Sequence, residues 1–265
     1  MSDRRTPHRT PVTFTVLAAL AVGAFAIPIV ALAVRVPWSE VPDLLTSDTV
    51  ADALRLSVIS SLAATAIAVV LGVPLAWVLA RATFPGKSIV RGLVTLPLVL
   101  PPVVAGAALL FALGRSGVIG EPLYEATGVV LPFSLWAVVI ANTFVAMPFL
   151  VITLEGALEN LDPRFEAAAS TLGASRWTVI RRVALPMVRP SLMAGVVLPW
   201  ARAFGEFGAT VTFAGSLAGR TQTMPLTVFV ALQADRDAAI AVSLVMVVVS
   251  LVVLIALRGR WWRTA

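Results

Sequence analysis

The sequence contains no cysteine and only one histidine, His8. Disulfide bonds and thiolate metal sites are therefore excluded, and we expect no histidine metal site and no cofactor. A phosphate-binding loop is also missing, because Gly86-Lys87-Ser88 has no glycine at the required distance before it. We therefore expect a chain that carries out no catalysis of its own.

Charged side chains are scarce as well. They make up 13% of the 265 residues, while hydrophobic residues make up 59%. An ordinary soluble domain has about 25% charged and about 45–50% apolar residues. The net charge of +6 comes from basic residues that flank apolar runs and form no single stripe, so it indicates membrane topology and not nucleic-acid binding. The composition predicts an all-α integral membrane protein in contact with lipid.

Apolar runs predict a single membrane domain with six spans. The first run is 23 residues long, which exceeds the roughly 7–15 residues of a signal-peptide core and suffices for a ~30 Å hydrocarbon layer. We therefore interpret it as a membrane helix and not as a signal peptide. A tail at 258–265 with Trp261 and Trp262 predicts an interface anchor. The predicted spans are 12–34, 54–80, 92–113, 131–154, 192–213 and 238–257, after a polar tail at 1–11.

Two of these spans contain residues that are unusual in a membrane helix. The third holds Pro97, Pro101 and Pro102, which predict a kink or a break. The fifth holds Arg202 and Glu206, four residues apart and therefore on one face of a helix. Ionisable residues in a membrane indicate either a pathway or gate, or a structural ion pair, and the sequence leaves both open. The pore or gate candidates are Pro97, Pro101, Pro102, Arg202, Glu206, Gly208 and Thr210.

The connection at 155–191 is the longest charged interruption between two apolar runs. Pro163 suits the first turn of a helix, Glu166 lies near its positive end, and Gly173 predicts its stop. A second short helix is predicted to lie at the membrane surface with its arginines toward water and lipid phosphates, and to end at Pro186 and Pro190. One reading of this connection is an ordinary amphipathic loop between two membrane helices.

The same connection resembles the cytoplasmic EAA loop of permeases from ATP-binding-cassette importers. The family pattern is Glu-Ala-Ala, three residues, Gly, nine residues, an aliphatic, one residue and Leu-Pro. Glu166 stands one position before the place where the pattern has its glutamate. It either takes that role or leaves a weaker acidic contact. The resemblance implies a coupling helix seated on the ATPase, with the residues Glu166, Ala167, Ala168, Ala169, Gly173, Ala174, Val183, Leu185 and Pro186.

Two further stretches resemble molybdate importer permeases, namely 205–210 (Gly-Glu-Phe-Gly-Ala-Thr) and 219–226 (Gly-Arg-Thr-Gln-Thr-Met-Pro-Leu). The segment Leu-Pro-Leu-Val-Leu-Pro-Pro at 96–102 is similar to the third helix of that family. The resemblance implies the type I importer permease fold, with its coupling loop between helices 4 and 5. It also implies a homodimeric pore, two copies of a partner ATPase and an external oxyanion-binding protein.

Other functions remain open. A sulfate, thiosulfate or tungstate permease can share the same fold, because all these substrates are tetrahedral dianions. A secondary transporter needs no ATPase, but it predicts inverted repeats with paired broken helices and buried carboxylates. A membrane scaffold without transport function needs neither polar residues in mid-span nor the coupling motif.

Basic residues are distributed unequally over the predicted topology. With both termini cytoplasmic, the inner segments 1–11, 81–91, 155–191 and 258–265 hold 14 arginines and lysines. The outer connections hold four, at Arg35, Arg115, Arg220 and Arg236. This follows the positive-inside rule. We therefore expect a multi-pass protein of the cytoplasmic membrane with the 155–191 loop in the cytosol.

Overall fold

The computed structural model describes residues 11–39 and 41–261, and every regular element in that part of the chain is helical. The basic tail residues 1–10 and residues 262–265 of the predicted anchor lie outside the described residues. A π-helical segment, Ile180–Ala184, lies between the ninth and tenth α-helices. The α-helices are α1 Val12–Val34, α2 Val41–Thr46, α3 Asp48–Arg81, α4 Lys87–Val99, α5 Pro102–Leu113, α6 Gly120–Thr127, α7 Leu135–Glu159, α8 Pro163–Thr171, α9 Arg176–Val179, α10 Leu185–Met187, α11 Arg189–Phe204, α12 Gly208–Phe213, α13 Met224–Ala234 and α14 Arg236–Trp261.

Helices α3 and α7 form the centre of the molecule, and α11 packs against both. A Cβ atom added to Gly72 of α3 would lie 2.8 Å from Leu150 Cδ2 of α7. Small residues at such positions let two membrane helices approach closely. The buried side of α3 carries small residues at every fourth position, at Ser60, Ala64, Ala68, Gly72 and Ala76.

Two apolar clusters extend this centre toward opposite ends of the membrane domain. One joins the C-terminal ends of α3 and α7, through Leu79, Leu154 and Leu158, to Ala184 and Val188. The other joins α5, the first half of α7 and α12, through Leu109, Val145 and Phe213. The segment that follows α8 is therefore packed against the membrane core at its C-terminal side.

Four of the described helices, α1, α3, α7 and α14, are long and apolar enough to cross a membrane. A fifth candidate span is the pair Arg176–Met187 and Arg189–Phe204, which is bent by 78°. Helix α1, which is described throughout, covers the first predicted span and has no buried residue. Most of its apolar surface therefore faces its surroundings.

The third and fifth predicted spans are not single helices. Leu100 and Pro101 are extended, with ψ angles of 135° and 134°, so that α4 and α5 are separate. The break that the prolines predict is confirmed. The prediction of one continuous helix through Arg202 and Glu206 is wrong, because α11 ends at Phe204 and α12 begins at Gly208.

Other predicted boundaries differ from the observed helices. Helix α3 begins at Asp48 and not at 54, since Ser47 caps it by accepting from the Val50 amide. Helix α7 continues to Glu159, beyond the predicted end at 154. The predicted polar loop at 214–237 contains the apolar helix α13, and Pro225 occupies its first turn. Proline fits there because backbone amides of the first turn have no hydrogen-bond partner within the helix.

Candidate functional site

Residues 163–188, which the EAA resemblance predicts to couple to an ATPase and which we call the coupling segment, begin with helix α8. Asp162 caps this helix, since its Oδ1 accepts from the Arg164 amide at 2.9 Å, and Pro163 occupies the first turn. Gly173 adopts φ +83°. The amides of Gly173 and Ala174 donate to Ser170 O at 3.0 Å and Ala169 O at 3.1 Å, which is the Schellman arrangement. The predicted helix stop at Gly173 is confirmed.

The second half of the coupling segment is one helical run with a π turn inside it. The Leu185 amide donates to Ile180 O, five residues back, and α10 follows directly with Pro186 in its first turn. The prediction that this helix ends at Pro186 and Pro190 is confirmed, because it ends at Met187, between the two prolines. It continues past Pro186 itself because the π turn shifts the hydrogen bonds and Pro186 stands where no amide is needed. The bend comes after Met187, where α11 begins.

This second half is attached to the membrane core along one side only. Val179 and Ala184 are buried, whereas Arg181 and Arg182 are exposed. The arginines therefore face solvent as predicted, but the opposite side packs on protein. Apart from Glu166, the residues that the EAA resemblance singles out fall into two groups. The half-buried ones are Ala169, Ala174, Val183 and Leu185, and the exposed ones are Ala167, Ala168, Gly173 and Pro186.

Glu166 is turned toward its own chain. Its Oε1 accepts from Arg81 Nε at 3.0 Å and from Arg81 Nη2 at 2.7 Å. Arg81 is the last residue of α3, and its guanidinium carbon lies 5.9 Å from the centre of the Trp77 ring. Arg81 was not among the sequence-predicted site residues, since it lies 85 positions from Glu166.

A second ion cluster lies nearby. Arg91 of α4 donates from Nε to Glu155 Oε1 at 2.9 Å and from Nη2 to Glu159 Oε1 at 2.9 Å. Glu155 is buried and both carboxylates belong to the last turns of α7. Arg91 therefore clamps α4 to α7. The only sequence signal for it was the spacing of the two glutamates, which puts them on one helix face.

The break between α11 and α12 is built around a buried carboxylate. Glu206 Oε2 forms an ion pair with Arg202 Nη1, and Glu206 Oε1 accepts from the Ala209 amide at 2.8 Å. The side chain of Glu206 is 1% exposed and that of Arg202 is 30% exposed. The carboxylate thus satisfies an amide at the start of α12 and neutralises part of the arginine charge. The two predicted residues are paired within one chain.

The two breaks meet each other in space. A Cβ atom on Gly208 would lie 2.6 Å from Pro102 Cβ. One on Gly106 would lie 2.7 Å from Ala209 O. The starts of α5 and α12 are therefore in direct backbone contact, which brings together Pro102 and Gly208 from the list of pore candidates. Pro97 is buried inside α4, and Pro101 is exposed.

Thr210 lies in a buried polar row and not on an open surface. Its hydroxyl faces Asn142 Oδ1 at 3.5 Å, and Asn142 Nδ2 faces Ser60 Oγ at 3.4 Å. In addition, Ser57 Oγ accepts from the Met224 amide at 2.8 Å. This row joins α3, α7, α12 and α13 through groups that would otherwise be unpaired in a membrane. Of this row, the list of pore candidates contained only Thr210, and the serines of α3 were missed.

Known proteins share both the sequence and the fold. The family described as "Binding-protein-dependent transport system inner membrane component" matches residues 68–260. The molybdenum transport system permease protein ModB of Mycobacterium tuberculosis is 49% identical over 235 residues, 89% of this chain and 89% of that protein. The sulfate transport system permease protein CysT of Escherichia coli is 35% identical over 224 residues, 84% of this chain and 80% of that protein.

A solved structure supports the same assignment at the level of fold. A chain of the bacterial alginate ABC transporter, crystallised in complex with an alginate pentasaccharide-bound periplasmic protein, superposes with a TM-score of 0.74. Its identity is 18%, and the match covers 96% of this chain and 94% of that chain. The chain therefore belongs to the family of binding-protein-dependent inner membrane transport components, and it has the fold of a type I ABC importer permease.

Proposed function

We propose that this chain is the membrane-spanning subunit of an ATP-binding-cassette importer that carries molybdate into the cell. The assignment of molybdate as the substrate rests on sequence identity, which is higher to a molybdenum permease than to a sulfate permease over segments of similar length. Molybdate and sulfate are both tetrahedral dianions, so the fold by itself does not separate them. Sulfate, thiosulfate and tungstate are therefore the competitors to test.

The working assembly holds two copies of this chain, two copies of an ATPase and one external binding protein. The exposed coupling segment supports an ATPase partner, since Leu172 is 89% exposed and Trp177 is 68% exposed. Apolar side chains so open to solvent mark a surface that a partner covers. ATP hydrolysis belongs to that partner, because this sequence has no phosphate-binding loop. The family assignment disfavours an ATP-independent secondary transporter.

The translocation path runs along the broken helices α4–α5 and α11–α12. A bare dianion in hydrocarbon costs on the order of tens of kcal/mol, so the path must be wet or lined by dipoles and charge. Irregular backbone at membrane depth is tolerated where it is buried in protein or lines such a path. The partly exposed guanidinium of Arg202 lies at one of the two breaks. It is the side chain best suited to attract an oxyanion there.

The coupling segment lies on the cytoplasmic side, together with both termini. The ion pairs of Arg81 with Glu166 and of Arg91 with Glu155 support this topology, because they join segments 81–91 and 155–191 at one end of the membrane domain. Both segments are rich in basic residues, as inner segments are.

Uptake into proteoliposomes tests the proposed function. The vesicles would hold this chain, its ATPase and its binding protein, with labelled molybdate outside and ATP inside. We expect saturable uptake that resists excess sulfate and stops when a non-hydrolysable nucleotide replaces ATP. Uptake abolished by sulfate would reassign the chain to the sulfate permeases, and uptake without ATP would contradict the importer class.

A further inference from the structure

The coupling segment is held to the membrane helices at two places of different chemistry. Its C-terminal half is packed by Ala184 and Val188 against Leu154 and Leu158 of α7. Its N-terminal half, α8, has no buried residue. The C-terminal half is therefore fixed to the membrane helices by apolar packing, whereas α8 can shift more easily when a bound partner moves.

The ion pair of Glu166 with Arg81 is the tie that holds α8. Among the described residues, the other hydrogen bonds and ion pairs of α8 stay within residues 162–174, such as those of Arg164 with Asp162 and of Ser170 with Glu166 O. Among these polar contacts of the described residues, only the carboxylate of Glu166 reaches a membrane helix. Loss of this one contact would leave α8 with its packing against α9 and the π-helical segment Ile180–Ala184.

The geometry of the pair suits a mechanical link. Two N–H groups of one guanidinium converge on a single carboxylate oxygen, and the two side chains are only 21% and 20% exposed. Charge-assisted hydrogen bonds of this kind are directional and stronger than neutral ones. The Trp77 ring lies near the same guanidinium on the preceding turn of α3, which adds a cation–π attraction to the ion pair.

Large apolar side chains are part of the open surface of the coupling segment, beside exposed arginines such as Arg181 and Arg182. Leu172, Trp177 and Phe165 are exposed, the last by 51%. Glu166 faces the other way, toward α3. The residues that can meet a partner are thus different from the residue that holds α8 to the core.

We propose that Glu166 is a positioning residue, which through Arg81 passes the movement of the ATPase-facing surface to α3 and hence to the α3–α7 centre. This inference rests on the proposed function. It differs from the expectation that the glutamate itself contacts the ATPase. Contact with the ATPase falls instead to the exposed apolar side chains.

One readout needs no transport at all. Ser170 of α8 and Ser88 of α4 are exposed, and the chain has no cysteine. Spin labels attached to cysteines introduced at these two positions measure the distance between α8 and α4. We expect a narrow distance distribution in the parent chain, and a broad one after Arg81→Gln or Glu166→Gln. Lys87→Gln is the matched control, because Lys87 has no ion pair in the described part of the chain. Unchanged distributions in both variants would overturn the proposal.

The second readout is the amount of molybdate transported per ATP hydrolysed in the complete transporter. We expect Arg81→Gln and Glu166→Gln to lower this ratio about tenfold, which is a typical coupling factor between two sites. The amount of bound ATPase should stay unchanged. The charge swap R81E/E166R should have a ratio close to that of the parent chain. Arg81→Lys should have a ratio between those of the parent chain and Arg81→Gln. Lys87→Gln should leave it unaltered.

The opposite pattern identifies the alternative. If Glu166→Gln releases the ATPase and Arg81→Gln does not, then Glu166 contacts the ATPase and the proposal is overturned. The same conclusion follows if neither the swap nor Arg81→Lys restores the ratio. A parent chain that takes up no molybdate contradicts the proposed function instead, and the spin-label distances then still decide whether the tie exists.

Discussion

Gly205 and Gly208 lie in the same break but have different surroundings. A Cβ atom on Gly208 would meet Pro102 Cβ at 2.6 Å and the Pro102 backbone at 3.3 Å. A Cβ atom on Gly205 would meet only the Ala201 carbonyl of its own helix, at 3.6 Å. Of the two, Gly208 is therefore the one required for close helix packing.

We expect Gly208→Ala to lower the free energy of unfolding by about 1–3 kcal/mol, the usual cost of overpacking. Gly205→Ala, three residues away, should change it by less than about 0.5 kcal/mol. Thermal unfolding of the two variants in detergent measures the difference. Equal stability of both variants would mean that α5 and α12 can separate freely.

Sequence spacing predicted the residue pairs that are close along the chain and missed those that are distant. Arg202 and Glu206 do pair, although α11 ends at Phe204 between them, and Glu206 also accepts from the Ala209 amide. The pairs Arg81–Glu166 and Arg91–Glu155 span 85 and 64 positions. A helical or other local repeat in the sequence does not predict such pairs, because they form only when α3, α4 and α7 pack together.

At the scale of single elements, helix α8 depends on how it ends. Gly173 has a φ of +83° and donates its amide to Ser170 O. Proline fixes φ near −65° and has no amide hydrogen. A proline at this position would therefore redirect the chain between α8 and α9.

We expect Gly173→Pro to leave membrane insertion intact and to abolish both uptake and substrate-stimulated ATP hydrolysis. Gly128→Pro is the matched control, because Gly128 ends α6 with φ +71° and donates to Tyr124 O at 2.7 Å. It introduces the same strain outside the coupling segment, so ATP hydrolysis should still respond to substrate. ATPase assays of both variants decide, and normal uptake by Gly173→Pro would contradict the assigned coupling role.

Element boundaries were predictable where proline or glycine marks them. The prolines at 97, 101 and 102 announced the break between α4 and α5. The break at 205–207 is an exception, because Gly205 and Gly208 lie at it but it contains no proline, and apolar residues continue on both sides of it. It forms because the buried Glu206 carboxylate takes over the capping of α12, which is a tertiary effect that hydrophobicity does not report.

For the molecule as a whole, the absence of cysteine makes the topology easy to test. Ser116 and Ser170 are exposed, and the distribution of basic residues predicts that they lie on opposite sides of the membrane. With a membrane-impermeant maleimide, Ser116→Cys should be labelled in intact cells. Ser170→Cys should be labelled only after permeabilisation. The reverse pattern would place both termini outside.

The meeting of the two breaks has a mechanical consequence. Within the described residues, no backbone hydrogen bond joins α4 to α5 or α11 to α12. The contact of Gly208 with Pro102 nevertheless makes α5 and α12 neighbours. We therefore expect a hinge at these two breaks, across which α5 and α12 tilt together against α4 and α11. Such a tilt would cost no helical hydrogen bond, so its resistance would come from side-chain packing and from the pairing of Arg202 with Glu206.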